Sequence, residues 1–231
     1  MMGCNVFKKT VSVIFATNLV AACALFIRST TSIFRLLVVG SIVTFLAACS
    51  TPQAPVAKAV YDFGPAVQLA TASVPLPTQA ALTLGDVDAS PALDHPAVHY
   101  RLAYADALQL RPYTLARWSA SPTRLVQQRL REALSVDRAM LSTAEAATPW
   151  LLRVELEEFS QWFDAPGSSA GVVRLRATLL RSGQLVAQRS FNARSPAPSA
   201  DAAGGVRALV AASDDANKQI YIWLTAQTKA P

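Results

Sequence analysis

The chain has 231 residues, 52% of them hydrophobic, and a formal charge of +6. Four of its cations, Lys8, Lys9, Arg28 and Arg35, and none of its acids lie in residues 1–48, which leaves 17 basic against 15 acidic side chains from Cys49 onward. That near-neutral remainder of 183 residues holds no basic stripe for a nucleic acid and no apolar run long enough to span a bilayer, and its length suits one domain with its own core.

The N-terminal part is read first as an address. An apolar run from Leu36 to Leu46 ends in Leu46-Ala47-Ala48-Cys49, and small residues before a cysteine are the pattern at which a bacterial lipoprotein signal is cut and the thiol lipidated. Cys49 would carry the covalent lipid, the only non-protein group the sequence implies. At about 0.8 kcal/mol per buried methylene, several acyl chains anchor stably where one holds marginally. Val20-Ala21-Ala22-Cys23 repeats the local pattern and makes Cys23 the competing site, but cleavage there would leave a second apolar segment, Leu25 to Leu46, on the mature protein. With cleavage before Cys49, Arg28 and Arg35 serve as the positive flank of the signal. Cys4, Cys23 and Cys49 are all the cysteines, so the domain that follows builds neither a disulfide framework nor a thiolate metal site.

The expected division is a signal over 1–48, a lipidated tether over 49–58 and a periplasmic domain over 59–228. Ser50 to Lys58, with Pro and Ala and little to bury, reads as the tether. Ala59 to Phe63 predicts a first strand, ending at Gly64-Pro65. Ala70 to Thr78, with Pro75 and Pro77, reads as a surface connection. Strands follow near Ala81 to Val87, Val98 to Tyr104 and Leu110 to Trp118, the last confined to an edge or a bulge by Pro112. Ser121-Pro122 is a helix start, and Val126, Leu130, Ala133 and Leu134 share one face with Arg124, Gln127, Arg131 and Arg138 outside. Leu152 to Glu157 and Val173 to Leu179 alternate as strands on either side of a hairpin loop, Asp164 to Gly171. Leu185 to Ala193 adds another strand after the Ser182-Gly183 turn. Ser199 opens a final helix whose stripe runs through Val206, Leu209, Val210, Ser213, Ala216, Ile220, Trp223 and Leu224. The order predicts an α/β single domain with a mixed, largely antiparallel sheet covered by two main helices.

Catalytic patterns are few. Gly167-Ser168-Ser169-Ala170-Gly171 matches the G-x-S-x-G elbow of serine hydrolases, with Ser169 as nucleophile, but both flanks read as strand, and His95 and His99 precede it in the chain. The elbow is therefore read as a hairpin tip. His95 and His99 have the i, i+4 spacing of a zinc pair, but Pro91 and Pro96 argue against a helix through them, and no metal site is expected. Glu155 and Glu157 share a strand face that reads as solvated, with Glu158 beside them. Ala203-Gly204-Gly205-Val206 lacks the lysine and spacing of a phosphate loop. Such a tethered domain without a catalytic constellation reads as a binding or assembly component, not an enzyme.

Tyr61-Asp62-Phe63-Gly64-Pro65, Tyr100-Arg101-Leu102-Ala103-Tyr104, Leu110-Arg111-Pro112-Tyr113 and Arg117-Trp118 together resemble the ABC-type transport auxiliary lipoprotein family. Leu125 to Leu134, Arg153 to Phe159 and Phe163-Asp164 extend the resemblance over nearly all of the mature chain. The family comprises outer-membrane-linked partners of Mce-type lipid transport systems such as the paraquat-inducible one. The resemblance implies a periplasm-facing, outer-membrane-anchored accessory subunit that works with an Mce-domain protein and an ABC permease and ATPase to move lipids between membranes. It assigns no catalytic residue; a homo-oligomer is a further expected partner, and the charge balance leaves nucleic acid out. Ser50 after the lipidated cysteine agrees with outer-membrane sorting in enteric bacteria. Tyr104, Tyr113 and Trp118 are the expected docking aromatics. The competing readings are a structural envelope lipoprotein and a serine-type envelope hydrolase using Ser169.

Overall fold

A computed structural model describes residues 57–65, 77–143 and 148–228. Cys23, Cys49, the expected signal and most of the expected tether lie outside these residues. Among the described residues the chain forms β1 (Ala59–Tyr61), β2 (Leu82–Ala89), β3 (Ala97–Leu102), α1 (Ala103–Asp106), β4 (Ala107–Trp118), α2 (Pro122–Leu134), β5 (Met140–Leu141), β6 (Trp150–Ala165), β7 (Ser168–Arg181), β8 (Gln184–Pro196) and α3 (Ala202–Thr228). All eight strands join one mixed sheet, as the predicted α/β class requires.

β6 organises that sheet. β7 pairs with it antiparallel along nearly its whole length, from Trp150↔Arg181 to Ala165↔Ser168, and β8 continues outward from β7. The opposite edge of β6 is shared. β2 lies parallel to its first half, from Thr83↔Leu151 to Ala89↔Leu156, and β3 lies parallel to its second, from Tyr100↔Gln161 to Leu102↔Phe163. β4 then pairs antiparallel with β3, and β1 parallel with the end of β4. β1 reaches only Ala116 to Trp118, so Pro112, opposite His99 of β3, meets no strand on its other side, as the edge expectation for this proline requires.

α2 and α3 pack on the same face of the sheet and on each other. Leu125, Val126, Leu130 and Leu134 of α2 face inward, as does a nearly continuous stripe of α3 that includes Val206, Leu209, Ala216, Ile220 and Leu224. Phe63, Trp118 and Phe159 form an aromatic cluster at one end of this core, with ring centroids 5.6–6.2 Å apart. Asp62 accepts the Gly64 N–H at 2.8 Å, the Gly64 backbone takes φ +66°, and the Phe63 carbonyl accepts a hydrogen bond from Arg129 at 2.7 Å. The Tyr61–Pro65 stretch is thus a clamp that turns the first strand inward and seats its aromatic ring.

Several sequence expectations shift. Arg138, expected outside, is buried beside Asp137 and donates to Thr225 of α3 at 3.2 Å. α3 is capped by Asp201, which accepts the Gly204 N–H at 2.7 Å and the Ser199 hydroxyl, so Ser199 buttresses the cap and does not open the helix. The expected loop over Asp164 to Gly171 shrinks to a turn at Pro166-Gly167, because pairing of β6 with β7 continues through Phe163↔Ser169. Short β5 and single-turn α1 carry too few residues to give a period.

The close approach of α3 needs glycines. A Cβ on Gly171 would overlap the backbone of Ala208 and Leu209, and one on Gly205 would overlap the Gln161 side chain. Gly171→Ala should therefore lower stability by about 1–3 kcal/mol, the usual cost of overpacking. Gly167→Ala, with nothing near its new methyl, should leave the denaturant midpoint unchanged; equal midpoints for both variants would contradict this packing.

Candidate functional site

Strand alternation places His99 and Arg101 on one face of β3 and Val98 and Tyr100 on the other. On the helix-covered side the Tyr100 ring lies 4.6 Å from that of Tyr113 and 6.0 Å from that of Phe163. The Tyr113 hydroxyl donates to Gln161 Oε1 at 2.9 Å, and Gln161 Nε2 donates to Ser169 Oγ at 2.8 Å. Burial, then the neighbouring Tyr100 and Asp201, push the Tyr113 phenol up to about 12. This chain of polar groups lies under the start of α3, where Gly205 makes room for Gln161.

On the opposite face, Arg101 reaches across to β6. Its Nη2 lies 3.1 Å from Glu158 Oε2 and its Nε 3.5 Å from Oε1, while Nη1 donates back to the carbonyls of Ala107 (3.2 Å) and Leu108 (3.4 Å). The guanidinium also lies 5.9 Å from the centre of the Trp162 ring. Glu158 accepts the Ser160 hydroxyl at 2.7 Å as well. A register shift between Leu156 and Glu158 leaves Glu157 as the extra residue and sets Glu158, opposite Arg174, on the face that Glu155 shares with Arg176 instead of on the core face of Leu156. Glu155 and Glu157 instead pair with Arg176 across the ladder. His99 is buried near this ion pair, and desolvation first, then the charges of His95 and Arg101, hold its pKa below the ordinary imidazole value.

The result is a fixed hairpin. β3, α1 and β4 form a projection whose far side is stitched by Arg101, and Asp106 accepts the Leu108 N–H at 2.9 Å. At its tip Leu108 is 91% exposed and Tyr104 48% exposed. The three expected docking aromatics therefore separate. Tyr104 is on the surface, Tyr113 is partly buried, and Trp118 is fully enclosed between Phe63 and Phe159, so its ring cannot form part of a docking surface. The Leu110-to-Trp118 strand carries it inward because a bulge between the partners of Ala97 and His99 shifts the facing of β4. Leu108 was missed; its place beside a one-turn connection was the available signal.

The remaining candidates resolve into structural roles. Ser169 is buried in β7 and bonded to Gln161, neither in the expected tip nor on a strand-to-helix elbow. His99 lies two strands away on the opposite face, so Ser169 has no imidazole base there. His95 precedes β3 in a loop and His99 is within the strand, so they share no helix. No group of three or more metal-ligating side chains occurs among the described residues. A cleft of about 170 Å³ beside the Phe63 clamp is bordered by Arg129 and Glu132, but Arg129 is already paired with Asp214 at 3.0 Å and with the Phe63 carbonyl.

A family model described as the ABC-type transport auxiliary lipoprotein component matches residues 61–221. No curated protein matches the chain. Among solved structures, a Xanthomonas campestris protein assigned to a domain family of unknown function is similar, with 20% identity and a TM-score of 0.59, over 67% of this chain and 93% of that one. A second, uncharacterized protein shows 17% identity and a TM-score of 0.57 over 73% of this chain and 99% of its own. These two likenesses concern the fold.

Arg101→Ala leaves Glu158 in a largely enclosed position with one hydroxyl donor, and should cost about 3 kcal/mol, the low end for a buried pair that loses one member. Adding Glu158→Gln should recover part of that loss and leave the 103–110 amides exchanging faster than in the parent. Single and double variants of equal stability would show that the pair does not hold the hairpin.

Proposed function

Because the chain belongs to the ABC-type transport auxiliary lipoprotein family, we propose that it is the outer-membrane-anchored, periplasm-facing accessory subunit of an Mce-type ABC transporter that moves lipids between the two membranes. Membership itself makes it an auxiliary component of ABC-type transport in the cell envelope. The carrying observation is that the family match begins at Tyr61, only twelve residues after the cysteine of Leu46-Ala47-Ala48-Cys49.

In this reading residues 1–48 are removed, Cys49 rather than Cys23 bears the lipid, residues 49–58 are the tether and residues 59–228 fold in the periplasm. The energy source lies in the ATPase partner. The Ala203-Gly204-Gly205-Val206 start of α3 is filled by close packing on Ser199 and Gln161, which leaves no room for a phosphate to approach. The domain contributes a rigid body that the Mce-domain protein can grip, held at a fixed membrane by lipid. Trp118, enclosed in the core, takes no part in that grip. No cofactor beyond the covalent lipid is required.

Labelled palmitate should be incorporated into the wild-type chain and lost in Cys49→Ala, with Cys23→Ala still labelled. Deleting the gene should reproduce the envelope-permeability defect of a permease deletion, and the double deletion should be no worse than either. An additive double phenotype, or undiminished labelling of Cys49→Ala, would contradict the proposal.

A further inference from the structure

The first strand fixes a direction. β1 runs parallel to β4 with Ala59 opposite Ala116 and Tyr61 opposite Trp118, so the chain enters the fold from the side of the N-terminal end of β4. That end is the β3–α1–β4 hairpin, where Tyr104 and Leu108 stand exposed. Exposed apolar side chains also lie along the way, Leu115 on β4 and Val60 on β1.

The lengths agree with this direction. Ala59 lies ten residue steps after Cys49, a reach of at most about 35 Å. The part of β4 between Ala116 and Ala107 is about 30 Å long at 3.4 Å per residue. An extended tether is thus long enough for a lipid on Cys49 to reach the plane of the hairpin tip.

We infer that the hairpin tip is a membrane-contact surface, with Leu108 entering the acyl boundary and Tyr104 lying at the headgroup level of the same leaflet that holds the Cys49 lipid. The chemistry suits that occupant. Leucine is the apolar member, and tyrosine combines an apolar ring with a hydroxyl that belongs at an interface. Asp106, the nearest acid, has one carboxylate oxygen turned onto the Leu108 N–H. Arg101 satisfies the Ala107 and Leu108 carbonyls, so fewer backbone groups need water when the tip meets lipid. The ion pair behind the tip makes it a fixed wedge. The inference rests on lipidation of Cys49.

The domain after Cys49 contains no cysteine, so a thiol introduced by Leu108→Cys is a unique labelling site once Cys49 is acylated. Gln184→Cys, at the β7–β8 turn, gives the comparison position about 40 Å away along β6, near Trp150 and Arg181. The lipidated full chain, carrying an environment-sensitive fluorophore at one position or the other, is reconstituted in phosphatidylethanolamine and phosphatidylglycerol vesicles containing spin-labelled acyl chains. Flotation with the vesicles reports the anchor and quenching reports depth. Quenching at position 108 at least threefold stronger than at position 184, with a blue-shifted emission, is the expected result. Flotation with equal, weak quenching at both positions overturns the inference and leaves the anchor standing. A blue shift at 108 without acyl-chain quenching places the tip against a second copy and also overturns it. Failure to float overturns both the anchor and the contact.

Discussion

The hydrogen-bonded ladder along β6 is the constraint on which the rest depends. Its sixteen residues carry β7 on one edge and, in succession, β2 and β3 on the other. Two parallel partners on one edge require the chain to leave after Ala89 and return at Ala97. The bulge before Glu158 falls where one partner gives way to the next, turning that carboxylate toward Arg101 on β3. The helix side of the sheet holds an aromatic and aliphatic core, while the other side holds one enclosed ion pair whose guanidinium also secures the hairpin. Removing a member of such a pair exposes the full desolvation cost of the other, so the geometry is maintained by charge as well as by packing.

Much of this was legible in the residues. Alternation in Leu152 to Glu157 and Val173 to Leu179 located the two long strands, and the stripe from Val206 to Leu224 located the covering helix, because each repeats its period several times. The boundaries were less legible. Ser169 and Gly171 read as loop because glycine and serine punctuate turns, yet both lie in β7, where the small side chains admit α3. Arg138 read as exterior from helical spacing alone, but it lies beyond the end of α2, and a hydroxyl on α3 together with Asp137 meets its charge. The order of strands was not legible, since pairing of β2 and β3 with one strand joins segments some sixty residues apart.

The docking residues show the same division. Tyr104, Tyr113 and Trp118 are close in sequence and similar in chemistry, and nothing local separates a surface ring from a core ring. Position in the hairpin does so: Tyr104 lies in α1 at the turn, whereas Tyr113 and Trp118 lie on β4 and are carried toward the core. Trp118 closes the cluster around Phe63, Tyr113 joins a hydrogen-bonded chain to Gln161 and Ser169, and Tyr104 remains outside with Leu108. The residues resembling the family therefore serve largely to build the body: the Tyr61–Pro65 clamp, the Arg101–Glu158 pair and the enclosed Trp118 are all structural.

In the proposed function the domain acts through what it binds, and this body is a stably associated subunit of a lipid-moving ABC system. An affinity-tagged chain, expressed from its own locus and extracted from membranes in mild detergent, is therefore expected to bring with it an ABC permease, its ATPase and an Mce-domain protein, enriched together by mass spectrometry at ratios reproduced after cross-linking in cells. Recovery of the tagged lipoprotein without any of these subunits, under conditions that keep the permease and the Mce-domain protein together, would contradict it.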